Sequence, residues 1–139
     1  MATSTFNGPV VSQNGFIAGH QVTAANAINA TATATAAQVA TGYITSTSVA
    51  ATAITLPTGT LLGAALGATQ GTSFDLYIDN TAGANAVTIV VAVNGILSTA
   101  AADTPGSFGD LTVASGVTGV GRFTIMFSSA TAYVFTRTA

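Results

Sequence analysis

The chain has 139 residues, the usual size of one domain, and carries two basic residues, four acidic residues and one histidine. Only 4% of its residues are charged, against about 25% in an ordinary soluble domain. The scarcity of Lys and Arg argues against binding to nucleic acid or to an anionic membrane, and the lack of cysteine excludes a disulfide framework or a cysteine metal site.

The surface of such a chain has to consist mainly of Thr, Ser, Asn, Gly and Ala. Hydroxyl and methyl groups lose water at lower cost than ions do, which suits a protein held inside a dense assembly. The mean hydropathy of +0.62 reflects Ala and β-branched residues, because no apolar run reaches the roughly 18 residues of a membrane helix. We expect synthesis in a reducing cytoplasm without a signal peptide, since the first residues lack its basic and apolar blocks.

Residues 1–36 predict an extended amino-terminal arm followed by an Ala/Thr-rich linker. Turn residues bracket two small apolar clusters in the arm, and residues 21–36 have low complexity and no apolar periodicity. The predicted organisation is therefore an arm and linker at 1–36 and a β-domain at 37–139. Five apolar side chains of the arm are candidate contacts with a partner protein: Phe6, Val10, Val11, Phe16 and Ile17.

The first part of the predicted domain combines two strands with one helix. Segments 38–47 and 51–57 have the period of two that is typical of strands, and Pro57 ends the second. Leucines recur at helical spacing in residues 58–68, which predicts a short helix there despite two glycines.

Segment 72–80 alternates between apolar and polar residues, so one face of the predicted strand is clearly internal. Residues 80–85 have turn composition, and 86–95 return as a strand. We expect 72–80 and 86–95 to pair as an antiparallel hairpin. The alternation places Phe74, Leu76 and Ile78 on one face and Asp75, Tyr77 and Asp79 on the other.

The last part of the chain predicts a short strand at 110–116 and an aromatic hairpin at 121–137 with its turn at 128–131. Short strands separated by regular turn signals indicate an all-β fold. The predicted architecture is a β-sandwich or jelly-roll-like small barrel with one short helix and the amino-terminal arm.

Asp75 and Asp79 share a face of their predicted strand and could ligate a hard cation together with Asn80. Such sites usually gather more oxygen ligands in a tight loop, so a solvated outer face is the favoured interpretation. Asp103 and Asp110 flank a Gly/Pro loop, where solubilising turn chemistry is favoured over paired acid–base carboxylates.

His20 is the only imidazole of the chain, and no sequence motif sets a serine beside it as a nucleophile. The glycine-rich run 116–121 precedes a strand and lacks a following lysine, so it indicates a turn and not a phosphate loop. Arg122 and Arg137 could pair with aspartates within the fold or across a subunit boundary. The sequence predicts no catalytic residue, no cofactor, no metal site and no small-molecule substrate.

Small β-domain proteins encoded among the virion genes of tailed bacteriophages and cyanophages resemble two stretches of this chain, TGYITSTSVAATAITLPTGTLLGAALGATQGTSFDLYIDNTAGANAVTIVVAVNGI and GRFTIMFSSATAYVFTR. The opening NGPVVSQNGF is similar to the openings of phage head and tail structural proteins. Within that class the chain most resembles capsid decoration proteins, also called cement proteins.

The resemblance implies a protein that sits on the outside of a phage head, is typically a homotrimer, and bridges and stabilises neighbouring subunits of the major capsid protein. It implies a structural role, not an enzymatic one. A head-fibre or receptor-binding tip is the first alternative, although the chain has no fibre-shaft repeats. A polysaccharide-degrading tail component is the second, and it would need carboxylates placed across a groove.

Overall fold

The computed structural model describes residues 26–97 and 111–139, and most of these residues lie in strands and their connecting turns. The strands, in chain order, are β1 Ala32–Thr33, β2 Tyr43–Thr45, β3 Thr52–Thr55, β4 Ser73–Asp79, β5 Val87–Val90, β6 Gly95–Leu97, β7 Thr112–Val113, β8 Val120–Ser129 and β9 Ala132–Arg137. The helices are α1 Ala36–Ala40, α2 Gly59–Leu66 and a 3₁₀ turn at Gly116–Thr118.

The strands form two sheets of mixed direction. The five-stranded sheet has the order β2-β4-β8-β9-β6 and the four-stranded sheet the order β1-β3-β5-β7. Pairs β4–β8, β8–β9 and β5–β7 are antiparallel, and the other four pairs are parallel. The prediction of a β-rich fold is confirmed, and neither sheet closes into a barrel within the described residues.

The predicted aromatic hairpin is present as β8 and β9. Phe123 stacks on Phe135 with ring centroids 5.0 Å apart, and Phe127 meets Tyr133 edge-on at 6.0 Å. These four side chains are the largest fully buried ones among the described residues. Their alternation with outward-facing residues fixes the register, since a slip by one residue would turn every ring towards water.

Both sheets contribute to one hydrophobic core. The five-stranded sheet buries Ile44, Leu76, Ile78, Phe123, Ile125, Phe127, Tyr133 and Phe135, and the four-stranded sheet buries Ile54, Val87, Ile89 and Val113. Hydrogen bonds tie the sheets together at both ends of this core. The Tyr133 hydroxyl donates to the carbonyl oxygen of Pro57 at 3.1 Å, and the Asn80 amide donates to the carbonyl oxygen of Ala114 at 2.9 Å.

The predicted hairpin between segments 72–80 and 86–95 is wrong, because β4 and β5 belong to different sheets. The buried Asn80 side chain at the end of β4 also donates to the carbonyl oxygen of Asn85 at 2.9 Å. This contact shapes the turn so that the chain crosses from one sheet to the other. Alternation alone could not reveal this, since it defines the faces of a strand and not its neighbours.

The first residues of the predicted strand 38–47 instead form α1, and only the end of that segment is extended, as β2. A capping box starts the helix: Gln38 N–H donates to the Thr35 hydroxyl at 3.1 Å, and Thr35 N–H donates to Gln38 Oε1 at 2.9 Å. The sequence T-A-A-Q carries this signal. The alternating residues that follow it masked the helix start.

The helix predicted in 58–68 is confirmed as α2. Its N-cap is Thr58, whose hydroxyl accepts from Leu61 N–H at 3.3 Å, and Gly67 ends it with φ of +60°. Gly63 faces the turn between β8 and β9, where a Cβ atom would overlap the carbonyl oxygen of Ala130. Glycine therefore brings this helix within contact distance of the aromatic hairpin.

Replacing Gly63 by Ala is expected to lower the free energy of unfolding by about 1–3 kcal/mol, although Ala is the better helix former, because the methyl group has no space. Thr60→Ala, at an exposed position of the same helix, is the control and should change stability by about 0.5 kcal/mol at most. Urea unfolding followed by circular dichroism measures both. Equal stability of Gly63→Ala and the parent chain would contradict the close approach.

Residues 26–36, assigned to the linker by their composition, contact the core. Ile28 and Ala34 are buried, and β1 pairs in parallel with β3. The Asn26 amide donates to Gln38 O, Thr41 Oγ1 and Tyr43 O at 2.8–2.9 Å, which joins this segment to α1 and β2. The predicted arm contacts lie at residues 1–25, outside the described residues.

A chain that starts at Ala37 should therefore be less stable than one that starts at Asn26. The shorter chain lacks the buried Ile28, worth roughly 1.5–3 kcal/mol, together with the pairing of β1 and the Asn26 hydrogen bonds. Thermal melting of the full chain and both truncated chains gives the comparison. If both truncated chains melted together, residues 26–36 would contribute nothing to the fold.

Candidate interaction surface

Exposed aromatic and charged side chains come together on the outer face of the five-stranded sheet. Tyr43 of β2 and Tyr77 of β4 are direct partners in the sheet register, and Arg122 of β8 is the next partner of Tyr77. The two tyrosines are 39% and 40% exposed. Asp75 and Asp79 flank Tyr77 along β4, so we call these five residues the polar face.

Asp75 and Arg122 form an ion pair across β4 and β8. The Arg122 Nε donates to Asp75 Oδ2 at 3.0 Å, and the Thr124 hydroxyl donates to Oδ1 at 2.8 Å. Partial burial would raise the pKa of Asp75, but these hydrogen bonds and the positive charge outweigh it, so the pKa is lowered. Arg122 thus pairs within the fold, as one of the two predicted arrangements requires.

Asp79 is held by Tyr43 and Thr81. The Tyr43 hydroxyl donates to Asp79 Oδ2 at 2.6 Å, and the Thr81 hydroxyl and N–H donate to Oδ1 at 2.7 and 3.0 Å. These hydrogen bonds, the one from Tyr43 first, lower the pKa of Asp79, and the same contact raises the pKa of Tyr43. The Asp79 carboxylate is therefore charged at neutral pH.

An apolar row crosses the same sheet beyond the polar face. Met126 of β8, Val134 of β9 and Ile96 of β6 are register partners in turn. Their neighbours in β8 and β9 point into the core, so these three side chains point outward; Met126 is 49% and Ile96 55% exposed. One sheet face thus presents a polar half and an apolar half.

The outer face of the four-stranded sheet is small and uncharged. Thr88 of β5 and Thr112 of β7 are partners, with hydroxyl oxygens 3.4 Å apart, and Val90 is exposed at the end of β5. The surfaces of the two sheets therefore differ, since charged groups of the described strands concentrate on the five-stranded one.

The hypothesis of a hard-cation site at Asp75, Asp79 and Asn80 finds no geometric support in the described residues. Asp75 and Asp79 lie on the outer face, each with its own protein donors, whereas Asn80 is buried and its amide points to the turn and to β7. No group of three acidic, histidine or cysteine side chains gathers in the described part of the chain.

Three other candidate residues and the predicted arm contacts lie outside the described residues. These are His20, Asp103 and Asp110, together with the arm contacts Phe6, Val10, Val11, Phe16 and Ile17. The predicted turn at 116–121 contains the 3₁₀ turn, followed by the start of β8. Gly119 there accepts from Asn80 N–H at 2.6 Å, so this run serves the joint between the sheets.

Tyr43 is the surface residue that sequence reasoning missed. It lies in the alternating segment that predicted a strand, but its partner Asp79 is 36 residues away. The only available signal was that Tyr43 and Tyr77 each sit next to a residue of clear internal character, Ile44 and Ile78. Parallel pairing of β2 with β4 then decides that the two rings are neighbours.

None of the helices in residues 26–97 and 111–139 is long and apolar enough to cross a membrane. The chain matches no protein-family model, no curated protein and no solved structure. The fold defines a β-rich domain whose outer sheet face has a polar half and an apolar half.

Tyr43→Phe and Asp79→Asn should each lower the free energy of unfolding by about 0.5–1 kcal/mol at neutral pH, and the double variant by less than the sum. The folded pKa of Asp79 is lowered, so its stabilisation is complete above the unfolded value and is lost as the pH falls through the folded one. The gap between Asp79→Asn and the parent should therefore close below about pH 4.

Urea unfolding between pH 2 and pH 8, roughly the range in which carboxylates titrate, measures this effect. Tyr77→Phe is the matched control, because the Tyr77 hydroxyl makes no hydrogen bond to the described residues. A stability gap that did not depend on pH would show that the Asp79 charge is not involved.

Proposed function

We propose that this chain is a structural protein of a phage virion, a decoration or cement protein that binds the outer face of the head. It bridges neighbouring subunits of the major capsid protein and stabilises the shell, without catalytic activity. Two features support the proposal: the resemblance of residues 41–96 and 121–137 to small virion β-domains, and a composition with few acid–base groups of any kind.

The observation that carries the proposal is the scarcity of charge on the described surface. Asp75 and Arg122 neutralise each other, which leaves Asp79 and Arg137 as the other charged side chains of the described residues. Uncharged surface can be covered by another protein at a low desolvation cost. This property suits a protein that stays bound to a shell more than it suits a free monomer.

The finer architecture we propose is a two-layer β-sandwich that assembles as a homotrimer. The one core shared by both sheets supports the two layers. The apolar row of Met126, Val134 and Ile96 is available for contact within the oligomer or with the shell. Multiple modest contacts through one trimer raise the overall affinity by orders of magnitude.

The predicted arm contacts complete this mechanism. Five apolar side chains within residues 1–25 supply candidate contacts with the capsid protein or a neighbouring copy: Phe6, Val10, Val11, Phe16 and Ile17. Each contributes about 1.5–3 kcal/mol when buried, before the cost of ordering the segment is subtracted.

A receptor-binding or head-fibre tip is the second candidate, and the adjacent exposed rings of Tyr43 and Tyr77 favour it. Exposed aromatic side chains are enriched at recognition surfaces. The two candidates differ in where the protein sits on the particle. A decoration protein covers the head evenly, whereas a tip is confined to a vertex or to the tail.

Antibody labelling of purified particles that contain this protein should therefore cover the head evenly, and the protein should stay bound from low to molar salt. Ion pairs supply little of the binding free energy when a chain has six formal charges, so screening has little to weaken. Electron microscopy and sedimentation with gel analysis measure the two effects. Labelling of one vertex or the tail would favour the tip, and steep release by salt would show that charge governs attachment.

A further inference from the structure

Tyr43 and Tyr77 are aromatic side chains that the core does not absorb. The rings of the β8–β9 hairpin are fully buried, and Phe74 packs against the core. Tyr43 donates to Asp79 and Tyr77 lies beside Arg122, yet the two tyrosines remain 39% and 40% exposed, side by side. Their placement in one register row indicates a surface that meets a ligand.

Tyr77 shows what kind of group this face accepts. The Arg122 guanidinium carbon lies 5.9 Å from the centroid of the Tyr77 ring, and Asp75 neutralises its charge. A cation, an aromatic ring and a carboxylate thus form a complete set within the chain. Tyr43 and Asp79 repeat the ring and the carboxylate on the neighbouring strand.

The second set lacks its cation among the described residues. Asp79 accepts hydrogen bonds from Tyr43 and Thr81, and no ion pair joins it to a described Arg. A carboxylate that accepts a hydrogen bond from the Tyr43 hydroxyl also increases the electron density of that ring. Both features favour a positive charge placed beside the ring and the carboxylate.

Val120 completes the surroundings of Asp79. It is the register partner of Asp79 on β8, and its side chain is 49% exposed. An aliphatic side chain in this position can cover the methylene stem of a long basic side chain while the charged head reaches the carboxylate. A small inorganic cation would make no use of this apolar neighbour.

We propose that Tyr43, Asp79 and Val120 form a binding site for one arginine side chain presented by the protein surface to which this chain attaches. Charge complementarity and the internal precedent of Arg122 on Tyr77 select a guanidinium, which can stack on a ring and pair with a carboxylate at once. The identity of that surface as a phage shell rests on the proposed function. The site itself rests on the described residues alone.

A second copy of this chain does not suit the site. The chain has no lysine, and its two arginines are already engaged. Arg122 pairs with Asp75, and Arg137 donates to the carbonyl oxygens of Thr112 and Ala139 at 2.9 and 3.1 Å. The guanidinium has to come from a different protein.

The test is an NMR titration of the full chain with N-acetyl-L-argininamide, with N-acetyl-L-citrullinamide as a probe of the same shape without charge. We expect saturable shifts of the Tyr43 ring and the Asp79 amide with the arginine probe, and at least fivefold weaker binding of the citrulline probe. Asp79→Asn and Tyr43→Leu should each weaken arginine binding at least fivefold. Their amide spectra report directly whether each variant is folded.

The matched control is the double variant Asp75→Asn with Arg122→Gln, which removes the neighbouring ion pair at constant net charge. It should keep the arginine affinity within twofold. Equal binding of both probes, or binding unchanged by Asp79→Asn, would overturn the site. A neutral oligosaccharide that shifted the same resonances and bound more tightly than the arginine probe would also overturn the site, because the rings would then bind a carbohydrate.

The outcome separates the two proposals. If the parent chain does not bind the arginine probe but the antibody labels phage heads evenly, this inference is overturned and the proposed function stands. If the arginine probe binds at Asp79 but the antibody labels no phage head, the site is supported and the proposed function is overturned.

Discussion

The burial of four aromatic rings from one hairpin is the constraint on which the rest of this structure depends. Phe123, Phe127, Tyr133 and Phe135 lie on β8 and β9, and they are the largest buried side chains of the described residues. A core of this size needs cover on its open side, which the four-stranded sheet and α2 supply. The close approach of α2 at Gly63 brings this helix against Phe127.

The same constraint shapes the outer surface. Once alternate residues of β4 and β8 face the core, the remaining ones are forced together on the opposite face. There Asp75 and Arg122 satisfy each other, and Tyr43 and Asp79 form a second contact between strands. In a chain with so few charges, this concentration gives one face a chemical identity that the Thr-rich face of the other sheet lacks.

The local sequence pattern was sufficient to predict much of the fold, because helix starts and the two faces of a strand depend on neighbours in sequence. The alternation in residues 72–80 predicted which side chains point inward, and the leucine spacing predicted α2. The capping box before α1 was equally readable, but the alternating residues after it led to a strand prediction. The outward position of Asp75 and Asp79 also followed from alternation, whereas their protein partners did not.

By itself, the sequence determined the composition of the surface, the β-rich class and the inner face of the long strands, since each depends on residue type and a period of two. Only the tertiary structure decided which strands are neighbours. It placed β4 and β5 in different sheets and brought Tyr43 beside Asp79, 36 residues away. The physical reason is that strand pairing uses backbone groups common to every residue, so the choice of partner is made by the packing of the whole core.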